Sequence, residues 1–398
     1  MKIINKISEK MKDSEIGFSV VTAILFITIL VGGFYLIFAP KQEFSEDENR
    51  MLESTPKISL AAVRDGTFMD SIENYVGDHF MLRKAFISLN TSVQLLMGKR
   101  DLGSNYSSTP AEGGVYFGAE NHLYEVLLPD RSGIFRNNIS ALNRFADKTG
   151  LPLYIEAVPS GSQEQPEKLP LFAPNHDQHV EINEIKSAAG KNTKVIDLFD
   201  TLSDKTGQDY YFKTDHHWNI WGAYEGYKSL VTAMGLPAVD KEDFNFKAVS
   251  NEFYGTLYSK AILSGQEPDV FYLPEYKKKA DITQQTGKQV RNSLYWDEYL
   301  QKKDKYSAFL GGNHSVDIVK NADIKNGKKL LILKDSYANS MIPFLAMNFS
   351  EIHIIDLRYY NQDIYSYMDK NGITDTAAIY SIKQLCEVSV SNKLIARK

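Results

Sequence analysis

Cysteine is almost absent from this 398-residue sequence: its one thiol, Cys386, can form no intrachain disulfide. The residue sits in the apolar stretch IYSIKQLCEVSV and reads as a small buried hydrophobe. With covalent staples excluded, stability must come from a large core, which a chain of this length can build. An excess of basic charge is missing too. The net charge is −5 and the basic run Lys277 to Lys279 is short, so there is no electrostatic footprint for nucleic acid. No internal repeat or long low-complexity tract occurs, and a hydrophobic content of 43% excludes wholesale disorder.

Long apolar runs are scarce as well, with one exception. Residues 16–39, IGFSVVTAILFITILVGGFYLIFA, carry no charge over 24 positions, enough to cross a hydrocarbon layer of about 30 Å as a helix. Lys2, Lys6, Lys10 and Lys12 precede the run, and Glu43, Glu46, Asp47 and Glu48 follow it. That bias predicts a cytoplasmic N-terminus, with everything after Pro40 extracellular. The run exceeds a usual signal core and no small-x-small site follows, so a single-pass anchor in the cell membrane is expected rather than a cleaved signal peptide. The predicted organisation is a cytoplasmic tail (1–15), a transmembrane helix in the lipid bilayer (16–39), a membrane-proximal helical segment (40–125) and a main domain (126–398).

Within the main domain, helices and strands alternate. Ile139, Leu142 and Phe145 share a helix face that Gly150 stops, and the strand run Leu153 to Val158 follows. KVIDLF (194–199), KLLIL (329–333), IHIID (352–356) and AAIY (377–380) read as further strands. After His217 a helix is predicted with Ala223, Tyr227, Leu230, Val231 and Met234 on one face. Short apolar runs separated by helices imply an α/β fold of three layers with a mainly parallel sheet. The polar stretch 275–305 is expected to be an insertion loop. Such sheets carry reactive groups at the carboxyl ends of strands. KLLIL runs into KDSYANS, which puts Ser336 in a strand-to-helix turn where its side chain can stand exposed.

A serine is a poor nucleophile at neutral pH and needs an imidazole base, itself held by a carboxylate. FKTDHHWNIWGAY (212–224) offers both. On these residues alone two readings stand. Asp215 and a histidine could serve Ser336, or Asp215 could cap the following helix while His217 packs under Trp218 or Trp221. Ser336 itself could follow an ordinary helix cap. If Thr214 to His217 is extended, side chains at i and i+2 share a side, so His217 rather than His216 would face Ser336 together with Asp215.

DHHW, KDSYANSMIPFL and IIDLRYYN, with SEDENRML (45–52), FMDSIENYVGDHFMLR (68–83), FYGTLYSK (253–260) and YSAFLGGNH (306–314), give the chain a resemblance to the DHHW proteins of bacteria. Those proteins are similar to the SGNH-hydrolase-like proteins of alginate O-acetylation. The resemblance runs from about residue 44 to 365. It implies an SGNH-hydrolase-like domain in which Asp215 orients, His217 is the base and Ser336 the nucleophile, in the order Asp, His, Ser. It further implies oxyanion donors from Gly312 and Asn313. Arg358 could meet an anionic substrate group, steady the serine loop or form a structural salt bridge. Trp218, Trp221, Tyr359 and Tyr360 could stack on sugar rings, with core packing the other reading of the two tryptophans. One departure is that Lys334 stands where the relatives have glycine.

The function so implied is a membrane-anchored, extracytoplasmic O-acetyltransferase or acetylesterase acting on a cell-surface or exported polysaccharide. A membrane-bound O-acyltransferase would supply the acetyl groups, and neither cofactor nor metal is expected. The alternative, which Lys334 favours, is a non-catalytic surface protein that keeps the fold and binds or assembles glycan. A DHH phosphoesterase is excluded, because the further Asp/His motifs it needs are not present before residue 215.

Overall fold

Every position from Leu330 to Leu333 is apolar because both faces of that strand are covered. Leu330 and Ile332 enter one core with Tyr227, Leu230 and Val231, whereas Leu331 and Leu333 enter a second with Ile139, Leu142 and Phe145. Helices on both faces of one sheet make the expected three layers. The computed structural model describes residues 2–38, 40–102, 114–203 and 207–394. They fall into two compact units, Met1–Asn90 and Thr91–Lys398.

In the larger unit the main sheet has eight strands: β1 (Leu153–Val158), β2 (Thr193–Asp197), β3 (Ile282–Thr286), β4 (Gln289–Arg291), β5 (Val316–Asn321), β6 (Lys329–Lys334), β7 (Glu351–Ile355) and β8 (Asp375–Ser381). Their spatial order is β4-β3-β5-β7-β6-β8-β1-β2. The five strands from β7 to β2 are parallel, and β5, β3 and β4 continue the sheet antiparallel. Contrary to expectation, the 275–305 stretch is not a plain loop. It holds the β3–β4 hairpin, which turns at Gly287 (φ +58°) and lengthens the sheet at one edge.

The helix Ile220–Ala233 lies on the face that also receives Leu330 and Ile332. Asn219 caps it, accepting from the N–H groups of Trp221 and Gly222, so that task does not fall to Asp215. In the smaller unit, the helix Lys2–Phe38 contains a 19-residue apolar span, Phe18–Leu36, with mean hydropathy 2.3 and its side chains uncovered. It is compatible with a single-pass anchor. The SEDENRML and FMDSIENYVGDHFMLR blocks meet there in a four-residue clamp. Arg83 donates to Glu48 at 2.6 and 3.0 Å, and Arg50 forms a two-pronged pair with Asp78. The Arg50 guanidinium holds the Asp78 carboxyl down at about 2.

Candidate active site

β6 ends at Lys334 and passes into a tight 3-10 turn, Ser336–Met341. Asp335 fastens this turn from both sides. Its Oδ1 accepts from Tyr337 N at 2.9 Å, and its Oδ2 accepts from Ser381 N (2.7 Å) and Ser381 Oγ (2.9 Å) at the end of β8. Asp335 is therefore the helix cap that the DS pair suggested, and capping by Asp335 leaves Ser336 free. Ser336 is half-buried, whereas its neighbours on either side are buried.

The partner segment, 213–217, is a series of bends and not the extended stretch expected. Asp269 clamps its start, accepting from Lys213 N (2.8 Å), Thr214 N (2.9 Å) and Thr214 Oγ1 (2.6 Å). The next residue, Asp215, then bends the chain around its own side chain, because its Oδ1 accepts from His217 N at 2.9 Å. Asp215 and His217 thus meet through an Asx-type turn and not through strand alternation. The same Oδ1 takes His217 Nδ1 at 2.5 Å, and His217 Nε2 lies 2.7 Å from Ser336 Oγ. Carboxylate, imidazole and hydroxyl form one continuous chain of hydrogen bonds.

The other carboxylate oxygen, Asp215 Oδ2, accepts from Thr256 N (2.7 Å) and Thr256 Oγ1 (3.1 Å). Gly255 makes this approach possible, since a Cβ there would lie 2.3 Å from Asp215 Cβ and Oδ2. Burial alone would raise the Asp215 pKa. The charges of His217 and His216 and these hydrogen bonds outweigh it, and the carboxyl is held far below its usual range. His216 points elsewhere. Its Nδ1 meets Thr256 Oγ1 at 2.6 Å, and burial, with repulsion from His217, pushes its pKa down to about 4, so the ring is neutral at pH 7. A single hydroxyl hydrogen cannot serve both neighbours of Thr256. Donation to the carboxylate leaves His216 Nδ1–H as the donor to Thr256.

Three aromatic rings stack across the site. His217 lies between His216, with centroids 3.9 Å apart, and Tyr306, at 3.8 Å and nearly parallel (7°). Tyr306 OH donates to Ser336 O at 3.0 Å. Neither Tyr306 nor the Gly255–Thr256 pair was singled out from sequence as a site residue, although both lie in quoted blocks, YSAFLGGNH and FYGTLYSK. Only their spacing to Asp215 and His217 in space shows what they do.

The remaining candidates divide. Trp218 is completely buried, its Nε1 donating to Tyr337 O and Ser340 Oγ at 3.0 Å, so it braces the serine turn and cannot meet a sugar. Tyr360 is buried and Trp221 packs on Phe246, leaving Tyr359 as the exposed ring of the four. Arg358 is held by Asp356, at 2.6 Å from Nη2 to Oδ2, and is not directed at an anionic ligand. Gly312 adopts φ +96°, and its N–H is used on Phe309 O at 3.1 Å, which removes it as a free oxyanion donor. Asn313 is exposed, with its Oδ1 facing the buried Lys334 ammonium at 2.6 Å.

A metal would find ligand atoms of Asp215, His216 and His217 within 4.8 Å of one another. Asp215 Oδ1 and Oδ2, His216 Nδ1 and both ring nitrogens of His217 already have hydrogen-bond partners, which an ion would have to displace.

Solved structures and a family model place this arrangement among known proteins. A DHHW family protein from Eubacterium siraeum is 25% identical, with a TM-score of 0.61 over 74% of this chain and 99% of that one. Bacillus cereus PatB1, solved with a sulfonyl adduct, is 22% identical, with a TM-score of 0.59 over 72% of this chain and 99% of that one. The O-acetyltransferase domain of Pseudomonas putida AlgJ is 14% identical, with a TM-score of 0.46 over 70% of this chain and 94% of that one. A search of curated proteins gives no match. The expected α/β class, with a mainly parallel sheet covered on both faces, holds. Residues 174–355, which include Asp215, His216, His217, Trp218 and Ser336, match the family model described as DHHW protein, so the resemblance to that family is borne out over the residues that build the site.

Proposed function

We propose that this chain is a membrane-anchored, extracytoplasmic serine O-acetyltransferase or acetylesterase acting on a cell-surface or exported polysaccharide. The observation that carries the proposal is the Asp215–His217–Ser336 chain of hydrogen bonds at the end of β6. In this reading, His217 Nε2 takes the Ser336 Oγ proton as Oγ bonds to the acyl carbon, and returns it to the oxygen that leaves the donor. The acyl group then passes to a sugar hydroxyl or to water, whose proton His217 takes and gives back to Ser336 Oγ. Asp215 stays ionised and stabilises the imidazolium. The Ser336 N–H, at the start of a 3-10 turn, and the Asn313 amide are the oxyanion donors.

Phe18–Leu36 supplies the anchor, and the lysines before it set the N-terminus in the cytoplasm. Acetyl-CoA is not available outside the cell, so a membrane-bound O-acyltransferase is the donor partner. The domain limits inferred from sequence, with tail 1–15, anchor 16–39, membrane-proximal segment 40–125 and acyl-transfer domain 126–398, belong to the same proposal. Lys334, which supported a non-catalytic role, is accommodated in the interior without parting Ser336 from His217.

A sulfonyl fluoride is the natural probe, PatB1, a protein similar in fold, having been solved with a sulfonyl adduct. The chain should gain one sulfonyl group by mass spectrometry and lose acetate release from 4-nitrophenyl acetate. Ser336→Ala should take up no sulfonyl group and release no acetate above background. Equal acetate release by the wild type and Ser336→Ala would overturn the proposal.

A further inference from the structure

Lys334 follows Leu330 and Ile332 on one face of β6, yet it ends in an ammonium group that is completely buried. A lysine so placed must satisfy its three donors with oxygens. Nζ donates to Asn313 Oδ1 at 2.6 Å and to Asn339 Oδ1 at 2.7 Å, and lies 4.0 Å from Asp356 Oδ2. An ammonium accepts no hydrogen bond, so both amides are forced to turn their oxygens toward it. Asn339 Nδ2 reinforces this, reaching Asn313 Oδ1 at 3.3 Å and Gly312 O at 3.5 Å.

The orientation of Asn313 is thereby settled. Its oxygen receives two donors on the inner side, its Nδ2 donates to none of the described residues, and the side chain is exposed. Asn313 also stands on the segment that begins with Tyr306, whose ring stacks on His217 and whose hydroxyl donates to Ser336 O. Lys334 itself is two residues before Ser336 on the strand that delivers it. One buried cation ties the nucleophile strand to the loop facing the site.

We propose that Lys334 is a positioning residue, which locks the Asn313 amide with its N–H2 turned to the oxyanion that forms when Ser336 is acylated. This rests on the acyl-transfer function proposed above and explains why a lysine is compatible with it. A glycine at 334 would leave Asn313 Oδ1 with only the longer Asn339 contact, at 3.3 Å, to hold it. Here the donor is pre-oriented, and no reorganisation is needed as charge develops.

The test measures acetate release by the purified full chain and its variants Lys334→Met, Asn313→Ala, Asn313→Asp and the Lys334→Met/Asn313→Ala double variant, with folding followed by circular dichroism. Removing one oxyanion donor costs roughly 10²–10³-fold in kcat. Asn313→Ala should lose that much with KM changed less than about 3-fold. Lys334→Met should lose at least about 10-fold in kcat, and the double variant should be no worse than Asn313→Ala, since both act on one group. Asn313→Asp keeps an oxygen for Lys334 but lacks the N–H2, so it should be as impaired as Asn313→Ala while melting no lower than the wild type.

Full activity of Lys334→Met, or losses that multiply in the double variant, would overturn the role. Should Lys334→Met fail to fold, the Asn313 pair decides, and activity retained by Asn313→Asp overturns it. A wild type lacking Ser336-dependent turnover would defeat the acyl-transfer proposal and this one together. An active wild type with an unaffected Lys334→Met defeats this one alone.

Discussion

The two segments that build the site are held in opposite ways. The serine turn continues regular structure: β6 ends, Asp335 caps the 3-10 turn, and Ser381, 46 residues further on at the end of the adjacent strand β8, fixes the cap. The Asp–His turn has no regular structure to lean on. It keeps its shape because Thr256, 41 residues beyond Asp215, its neighbour Gly255, and Asp269, 55 residues beyond Thr214, supply or admit its hydrogen bonds. Ser336 is thus aimed by a strand end, whereas His217 is aimed by side chains that close on a segment outside any helix or strand.

The sharpest way to probe this contrast lies within the Asp–His turn, between its two adjacent histidines. His217→Ala should lower acyl-enzyme formation on the order of 10⁴-fold or more, because only that ring bridges Asp215 and Ser336. His216→Ala should stay within about 10-fold of the wild type, with folding checked by circular dichroism. Reversed results would mean that the turn does not aim the ring as described.

Next in size is Gly255→Ala. The added methyl would meet Asp215 Cβ at 2.3 Å and must push the turn off Thr256. We expect kcat to fall roughly 10²-fold, as expected when a catalytic group is misplaced by about 1 Å, together with a lower melting temperature. A smaller effect is expected in the other segment. Ser381→Ala removes one of three donors to Asp335, so stability should drop by about 1 kcal/mol in urea unfolding. Acetate release should stay within a few-fold of the wild type. If Ser381→Ala proved as damaging as Gly255→Ala, the two segments would not differ in the way claimed.

The smallest expected effect is a pH slope. The His216 pKa is about 4 in the folded chain against an ordinary 6.5, so between these values the unfolded chain binds more protons. Stability conferred by keeping this ring neutral is therefore complete above pH 6.5 and is lost as pH falls toward 4. Melting temperatures of His216→Gln should decline less steeply over that window than those of the wild type. Parallel curves would show that His216 is not held neutral.

The same contrast governs how much was legible in the sequence. KLLIL followed by KDS announced a buried strand and an exposed serine, because strand period and cap chemistry are local. The apolar face from Ala223 to Val231 and the stop at Gly150 were legible for the same reason. The sequence favours His217 over His216 through the family resemblance and through an extended geometry that the chain does not adopt, since nothing in TDHH reveals that Asp215 closes on His217 N. Trp218 looked like a sugar platform because sequence cannot show that the serine turn covers it. The sequence does not reveal the 275–305 hairpin because its polar strands finish the sheet, with β4 outermost, where polar residues are tolerated. Tyr306 and Thr256 lay inside quoted blocks without a role, their partners being distant in the chain.

Every bond that joins the two segments spans a long interval. His217 to Ser336 and Trp218 to Tyr337 are 119 residues apart, and Tyr337 to His216 is 121. Contacts of such separation carry a larger loop-closure entropy than local ones and become favourable late as a chain folds, and the β1–β8 pairing, which sets Leu153 beside Thr376, spans a longer interval still. No fragment ending before β6 can contain the site, and an intermediate with β1, β2 and the Ile220–Ala233 helix in place would still hold an aimless histidine. If Ser336 and His217 act as proposed, chemical competence should come late in folding, and its recovery after dilution from urea should report completion of the sheet more faithfully than the return of helical signal.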